Sequence, residues 1–206
     1  MFLALVSGGI DSPVAAKLAG ERERIELLHF NLYPYYCQGA FELVLQALKK
    51  LGKYAWIVPW GEFLREAIRS RGYQCLICRA GMYWVGSRLA KRLGCRGLVT
   101  GESLGQKASQ TLKNLWAVSG FSCLPVLRPL LALEKEEIIE LSRRLGLWQE
   151  VHAGCCRAVP KKPVVAASPE RLIKIWKELG LEAVAKAALR KAKKVELEGL
   201  ELSDLL

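Results

Sequence analysis

The chain has 206 residues and a formal net charge of +11, and 51% of its residues are apolar while 25% are charged. This composition excludes an intrinsically disordered protein, and the length suits one large domain. No apolar run approaches the roughly 20 residues that span a bilayer, and no signal peptide is recognisable. We therefore expect a cytoplasmic protein with no membrane partner, whose basic pI near 9.4 is compatible with a polyanionic ligand.

Short apolar runs alternate with segments of helical periodicity along the chain. The runs predict buried strands at 2–6, 25–30, 54–58, 97–100 and 123–127. The periodic segments predict helices at 13–19, 41–51, 82–93 and 138–145. This order predicts an α/β fold with an open, mostly parallel sheet and helices on both faces.

The carboxyl-terminal region is predicted to be helical. Ser168 and Pro169 form a helix start signal, and the basic stretch 190–194 and an acidic, Leu-rich tail follow. We therefore divide the chain into a nucleotide-binding domain at 1–167 and a helical extension at 168–206, which packs on the same domain.

A glycine-rich loop, Ser-Gly-Gly-Ile-Asp-Ser at 7–12, joins the first strand to the first helix. Adjacent glycines let backbone N–H groups approach an anion, and the helix N-terminus adds the positive end of its dipole. The loop lacks the Walker and dinucleotide-binding signatures. Asp11 would repel bare phosphates, which predicts a magnesium ion or a carboxylate that positions a triphosphate. The alternative is a turn that binds nothing.

The loop resembles the Ser-Gly-Gly-x-Asp-Ser signature of the PP-loop ATP pyrophosphatases, which share an adenine nucleotide alpha hydrolase-like fold. Four segments together resemble the catalytic domain of tRNA 4-thiouridine synthetase: Gly-Gly-Ile-Asp-Ser-Pro-Val-Ala (8–15), Thr-Gly-Glu-Ser-Leu-Gly-Gln (100–106), Ala-Ser-Gln-Thr-Leu (108–112) and Leu-Arg-Pro-Leu (127–130). The resemblance implies that the following residues bind ATP: Leu5, Val6, Ser7, Gly8, Gly9, Asp11, Ser12, His29, Phe30, Arg79, Gly101 and Gln110.

The implied activity is that of an ATP-dependent tRNA sulfurtransferase, in which Asp11 is catalytic. A uracil carbonyl oxygen is a poor leaving group, so its replacement by sulfur requires activation, and transfer of AMP with loss of pyrophosphate supplies it. Lys107 and Arg128 follow predicted strands and could steady the charge on the α-phosphate, or they could be surface cations.

Seven cysteines in a protein expected to be cytoplasmic indicate metal or sulfur chemistry for some of them. Cys75 and Cys78 have metal-ligand spacing, and Cys156 matches the family's sulfur-handling cysteine. Archaeal-type members likewise pair a CxxC with a later cysteine. We hypothesise that these three catalytic cysteines bind an iron–sulfur cluster that hands sulfur to the adenylated base.

Two alternatives to the cluster remain open. One is a structural zinc site with Cys155 or His152 as the fourth ligand, and the other is a redox pair of Cys78 and Cys156. The remaining thiols adjoin apolar runs and are expected to be inert small hydrophobic groups: Cys37, Cys95 and Cys123.

Full-length family members carry a ferredoxin-like domain and a THUMP domain before the PP-loop, and some carry a rhodanese-like domain after it. This chain begins at the strand before the loop. We expect tRNA to bind with the help of a separate RNA-binding protein, sulfide or a cysteine desulfurase to donate sulfur, and a homodimer as the oligomeric state. A PP-loop enzyme that adenylates a small molecule and a non-enzymatic nucleotide-binding subunit are the alternatives.

Overall fold

The structure, a computed structural model, describes residues 1–151 and 156–205. One sheet has the spatial order β5-β4-β1-β2-β3-β6, in which neighbouring strands are parallel except for the antiparallel pair of β3 and β6. Its strands are β1 (Phe2–Leu5), β2 (Ile25–Asn31), β3 (Tyr54–Pro59), β4 (Leu98–Val99), β5 (Val126–Leu127) and β6 (Lys193–Glu196).

Helices connect the strands and follow them in sequence. They are α1 (Asp11–Gly20), α2 (Gln38–Lys49), α3 (Gly61–Ala67), α4 (Gln74–Arg92), α5 (Leu112–Ser119), α6 (Lys135–Arg144), α7 (Pro169–Glu178) and α8 (Leu181–Arg190). Short 3₁₀ segments lie at Ile68–Ser70, Ala108–Gln110 and Leu202–Leu205.

Consecutive apolar residues of each central strand are buried on opposite faces of the sheet. Leu3 and Val58 pack in a core with α3, α4, α5, α7 and α8, whereas Ala4 and Ile57 pack in a second core with α1, α2 and α6. Burial on both faces explains why these strands are continuous apolar runs in the sequence. The predicted α/β fold with helices on both faces is confirmed.

Three predicted elements differ clearly from the structure. The strand predicted at 123–127 is reduced to Val126–Leu127. The helix predicted at 82–93 begins earlier, at Gln74, and Gly81 does not break it. A glycine is required there because a Cβ atom would lie 2.4 Å from the ring of Phe63. Region 168–206 contains the predicted helices, but Lys193–Glu196 is an edge strand, where exposed lysines are common. The domain division at 167 stays a prediction.

The connections of β1 place a ligand crevice. The chain proceeds from β1 to β2 and β3 on one side and then crosses to β4 on the other side of β1. Such a switch point opens a crevice outside the carboxyl ends of the strands, here between β1 and β4. Among the described residues, no helix is both long and apolar enough to cross a membrane.

Candidate functional site

A cavity of about 280 Å³ lies at the switch point. All twelve residues that the resemblance assigns to ATP line it, from Leu5 to Gln110. The loop reaches the cavity from the end of β1, whereas Arg79 comes from α4 and Gln110 from the 3₁₀ segment after β4. The structure brings these residues together, and their contact with ATP stays a prediction.

The phosphate loop is shaped by its two serines. Ser7 N donates a hydrogen bond to Ser12 Oγ at 2.8 Å, and the two hydroxyl oxygens are 2.9 Å apart. Helix α1 begins at Asp11, so its N-terminus faces the cavity. These hydrogen bonds close the turn of the loop, and the N-terminus of α1 is positioned to bind an anion.

Gly101 lets the end of β4 touch the beginning of α1. A Cβ atom at this position would lie 2.4 Å from Ser12 N and 2.5 Å from the carbonyl carbon of Asp11. Both neighbours are backbone, which cannot move aside without displacing the helix. The glycine is therefore required by the close approach of two backbone segments.

Asp11 has a partner that the sequence did not indicate. Lys135 Nζ lies 2.5 Å from Asp11 Oδ1. Lys135 is the first residue of α6, and Glu134 and Glu137 form a capping box at the start of this helix. The residues are separated by 124 positions in the chain, so only the tertiary structure reveals the ion pair.

His29 is buried beneath the loop as a neutral imidazole. Its Nδ1 lies 2.9 Å from Val6 O, which assigns the proton to Nδ1 and makes it the donor. Burial lowers the pKa of His29 to about 4, although the bond to Val6 opposes this effect. Its Nε2 is 3.5 Å from Tyr36 Oη, whose own proton is donated to Asn31 Oδ1 at 2.6 Å. His29 thus holds the strand that leads into the loop.

Glu102, which also lines the cavity, forms a buried network. Arg79 Nε and Arg128 Nε lie 3.2 and 2.8 Å from its carboxylate oxygens. Tyr83 Oη and Thr100 Oγ1 donate to its Oε2 at 2.6 and 2.7 Å. Burial alone would raise the pKa of Glu102, but the two guanidinium groups and the hydrogen bonds outweigh it and hold the pKa below its usual range.

This network corrects the expectation for Arg128 and gives Arg79 a defined position. Arg128 is largely buried, bonds to Glu102 and to Ser119 Oγ at 2.8 Å, and is neither a surface cation nor part of the cavity lining. Arg79 Nη1 also donates to Ser109 O at 2.9 Å. Lys107 does line the cavity.

One buried polar atom on the cavity lining fits a ligand. Gln110 Oε1 is buried, and the described residues offer it no hydrogen-bond partner. A buried amide oxygen without a partner is costly, so a bound molecule that donates to it would be stabilised. The phosphate loop and this amide oxygen together suit a ligand with anionic and donor groups.

The comparison with known proteins gives the family. The sequence model described as thiamine biosynthesis protein (ThiI) matches residues 1–181. The chain belongs to the ThiI family. A probable tRNA sulfurtransferase of Methanosarcina acetivorans is 35% identical over 207 residues, 95% of this chain and 50% of the relative. One of Thermococcus kodakarensis is 36% identical, over 84% of this chain and 49% of the relative.

A solved structure of a ThiI relative agrees with the fold. A 4-thiouridine synthetase, crystallised with RNA and bound ATP, has a TM-score of 0.85 and 30% sequence identity over 94% of this chain and 54% of that one. This likeness confirms the predicted PP-loop pyrophosphatase fold. The chain spans about half the length of the curated relatives it matches.

The three cysteines that the family resemblance singles out lie near one another. Cys156 lines the cavity, and Cys75 and Cys78 lie in the first two turns of α4. Burial raises the pKa of the Cys78 thiol to about 12, the hydrogen bond from Trp60 Nε1 at 3.2 Å opposes this, and Cys156 and Cys75 raise it further. Cys78 and Cys156 also pack against the same hydrophobic core.

Residues 1–151 and 156–205 contain no group of three or more His, Cys, Asp or Glu side chains that could hold a metal ion. Cys155 and His152, the alternative zinc ligands, lie outside the described residues. Cys95 is buried, whereas Cys37 and Cys123 are exposed, and the expectation that all three thiols are inert stays a prediction. Cys37 and Cys123 lie just outside regular elements, where an adjoining apolar run does not cover them.

Proposed function

We propose that this chain uses ATP to replace a carbonyl oxygen of a tRNA uridine by sulfur, giving 4-thiouridine. One observation carries the proposal: the thiol of Cys156 and the phosphate loop line the same cavity. A thiol beside a phosphate loop suits a reaction that couples ATP to sulfur transfer. The names of the relatives and the ATP and RNA in the solved 4-thiouridine synthetase support this assignment.

The reaction has two steps that balance. The uridine carbonyl oxygen attacks the α-phosphorus of ATP, and pyrophosphate leaves. A sulfur nucleophile then attacks the ring carbon that carries the adenylated oxygen, and AMP departs with that oxygen. The twelve residues that the resemblance assigns to ATP bind it, Asp11 and the loop position its phosphates, and Cys156 handles the incoming sulfur.

Magnesium fits this site as a companion of ATP. Asp11 is the loop's carboxylate, and Mg²⁺ is commonly held by one or two carboxylates together with substrate phosphates and water. A complete cage of protein ligands is therefore not required. The ion would supply positive charge to the phosphates, and the loop's own backbone would orient them.

We also propose that Cys75, Cys78 and Cys156 hold an iron–sulfur cluster. A cluster distributes its thiolates over several iron atoms, so it does not require the three sulfur atoms to converge on a single ion. The Trp60 N–H donates to Cys78 Sγ, as it would to a thiolate ligand. The group would supply a bound sulfur atom, and zinc and a disulfide pair remain the competing states.

The proposed partners follow from the chemistry of the reaction and from the RNA in the solved 4-thiouridine synthetase. tRNA is the substrate, a separate RNA-binding protein assists its binding, and sulfide or a cysteine desulfurase donates the sulfur. A homodimer is the proposed oligomeric state. The positive net charge of +11 supports the RNA partner without specifying how it is recognised.

The test of the activity is incubation with MgATP, sulfide and bulk tRNA, followed by mass spectrometry of the nucleosides. We expect 4-thiouridine and pyrophosphate in equal amounts, and loss of both in Asp11→Ala. Cys156→Ser should still release pyrophosphate while forming no 4-thiouridine, and the exposed Cys37→Ser serves as its matched control. Release of inorganic phosphate alone would refute the assignment.

The test of the cluster is anaerobic reconstitution with iron and sulfide. We expect bound iron, acid-labile sulfide and broad visible absorption, all lost in Cys75→Ala, Cys78→Ala or Cys156→Ala but kept in Cys95→Ala. Stoichiometric zinc without iron uptake, or full thiolation by Cys75→Ala, would contradict the cluster.

A further inference from the structure

Helix α5 presents an exposed apolar face next to the cavity. Leu112 and Trp116 are 69% and 66% exposed, and their spacing of four residues places them side by side. Lys113 is exposed beside them, whereas Asn114 and Leu115 are buried on the other side of the helix. A large aromatic side chain exposed together with a leucine marks an interaction surface.

Helix α5 begins close to the cavity wall. Lys107 and Gln110 line the cavity, and α5 begins two residues after Gln110. Trp116 lies only about 6 Å of helix rise beyond Leu112. A molecule that inserts one group into the cavity could therefore continue along α5.

A second segment, 156–167, is fixed against the same helix. The buried Asn114 donates from Nδ2 to Val164 O at 2.9 Å and accepts from Ala167 N at 2.8 Å. Thr111 Oγ1 donates to Val165 O at 2.7 Å. This segment begins with the cavity residue Cys156, so α5 and the thiol belong to one connected unit.

The charges of these two segments have one sign. Segments 103–127 and 156–167 contain no Asp or Glu. Their cations are Lys107, Lys113, Arg157, Lys161 and Lys162. Surfaces that bind single-stranded nucleic acid combine cations along the backbone path with an aromatic side chain on which a base stacks. Two segments that carry cations and no anions favour RNA over a protein partner of mixed charge.

We propose that the rim surface, made of Lys107, Leu112, Lys113, Trp116, Lys161 and Lys162, binds the single-stranded RNA segment that flanks the base in the cavity. The phosphates lie along the lysines, and a neighbouring base stacks on Trp116. This inference rests on the proposed function, because it takes the base in the cavity to be a tRNA uridine.

The test measures binding of a fluorescent single-stranded RNA decamer by anisotropy at several salt concentrations, without ATP or sulfide. We expect Trp116→Ala to weaken the affinity about tenfold with little change in salt dependence. The double variant Lys161→Gln, Lys162→Gln should lower the slope of log affinity against log salt by about 1.4.

Matched controls carry the same chemistry elsewhere. Tyr54, 46% exposed and close to Lys53 and Lys194, begins β3 at the end of the sheet away from the cavity, so Tyr54→Ala should bind RNA as the parent does. Lys49→Gln with Lys50→Gln removes an adjacent lysine pair at the end of α2, on the other face of the sheet. Equal losses in controls and rim variants would overturn the proposal.

The failure of this inference can be distinguished from failure of the proposed function. Wild-type protein that binds RNA through Trp116 but forms no 4-thiouridine would refute the activity and support the rim surface. Unchanged RNA affinity in all rim variants would refute the rim surface and leave the activity intact. If Trp116→Ala altered only self-association, measured by sedimentation, the face would be a contact between copies and the proposal would be wrong.

Discussion

Two parts of the cavity lining, the phosphate loop (the loop side) and the Glu102 network (the Glu102 side), differ in the interactions that hold them in place. On the loop side, Ser7 and Ser12 bond mainly to each other, and Asp11 has a partly exposed lysine as its partner. On the other side, the Glu102 side chain is only 7% exposed and bonds to groups from three separate parts of the chain. The loop side is held by a few partly exposed interactions, whereas the Glu102 side is a buried network whose charged groups are paired and hydrogen-bonded.

This difference separates binding from stability. Buried charges that are fully paired are costly to disturb, because removing one partner leaves an uncompensated charge. Exposed pairs contribute little to folding, so their substitution affects mainly what the site binds. We therefore expect variants of the Glu102 side to lose stability and variants of the loop side to lose ligand affinity.

The largest expected effect is that of Glu102→Gln. Arg79 and Arg128 would lose their shared counter-charge while remaining buried, which should lower the free energy of unfolding by about 3–5 kcal/mol. Urea unfolding monitored by circular dichroism measures the change. The control Glu66→Gln removes a partly exposed carboxylate that also contacts two arginines, and a comparable loss there would contradict the prediction.

Acid should destabilise the protein through His29. Its folded pKa of about 4 is below the unfolded value of 6.5, so the unfolded state binds the proton first and stability falls as the pH drops from 6.5 toward 4. The full difference corresponds to about 3 kcal/mol. The contribution of Glu102 is lost in a more acidic range, because its folded pKa is below 4.5.

Unfolding measured between pH 7 and 5 tests this expectation. His29→Gln has no titrating ring, so its stability profile should be flatter than that of the parent. His152→Gln removes the other histidine of the chain and is the matched control. A flat profile in His152→Gln together with a parental profile in His29→Gln would contradict the prediction, because the acid sensitivity would then come from His152.

The two sides also differ in how far the sequence predicted them. The phosphate loop is six consecutive residues, and local chemistry is enough to recognise it. The role of Glu102 depends on its contacts with Arg79, Tyr83 and Arg128. Sequence periodicity does not reveal these contacts. Arg79 and Gln110 entered the predicted site only through the family resemblance.

The alternation of strands and helices predicted the fold, because burial on both faces produces continuous apolar runs. Strand β6 was missed because an exposed edge strand with lysines lacks such a run. Lys135 was missed because its relation to Asp11 exists only after folding.

A smaller effect is expected for Gly101→Ala, which tests whether the two sides can be separated. The new methyl group would meet the backbone of Asp11 and Ser12, which should cost about 1–3 kcal/mol of stability and also shift the helix N-terminus. ATP affinity, measured by calorimetry, should fall with it. Gly39→Ala is the control, since its Cβ would meet nothing within 4 Å.

The smallest effect on stability is expected for Lys135→Met. The ion pair with Asp11 is partly exposed, so its loss should change the free energy of unfolding by about 1 kcal/mol or less. Without the lysine, however, the Asp11 carboxylate would lose the contact that holds it in place beside the phosphates and their magnesium ion. We therefore expect MgATP affinity to fall about tenfold, as measured by calorimetry, while Lys17→Met, an exposed lysine later in α1, leaves it unchanged. A loss of stability as large as that of Glu102→Gln would show that the loop side is also a structural network, and unchanged MgATP affinity would show that Lys135 does not serve the ligand.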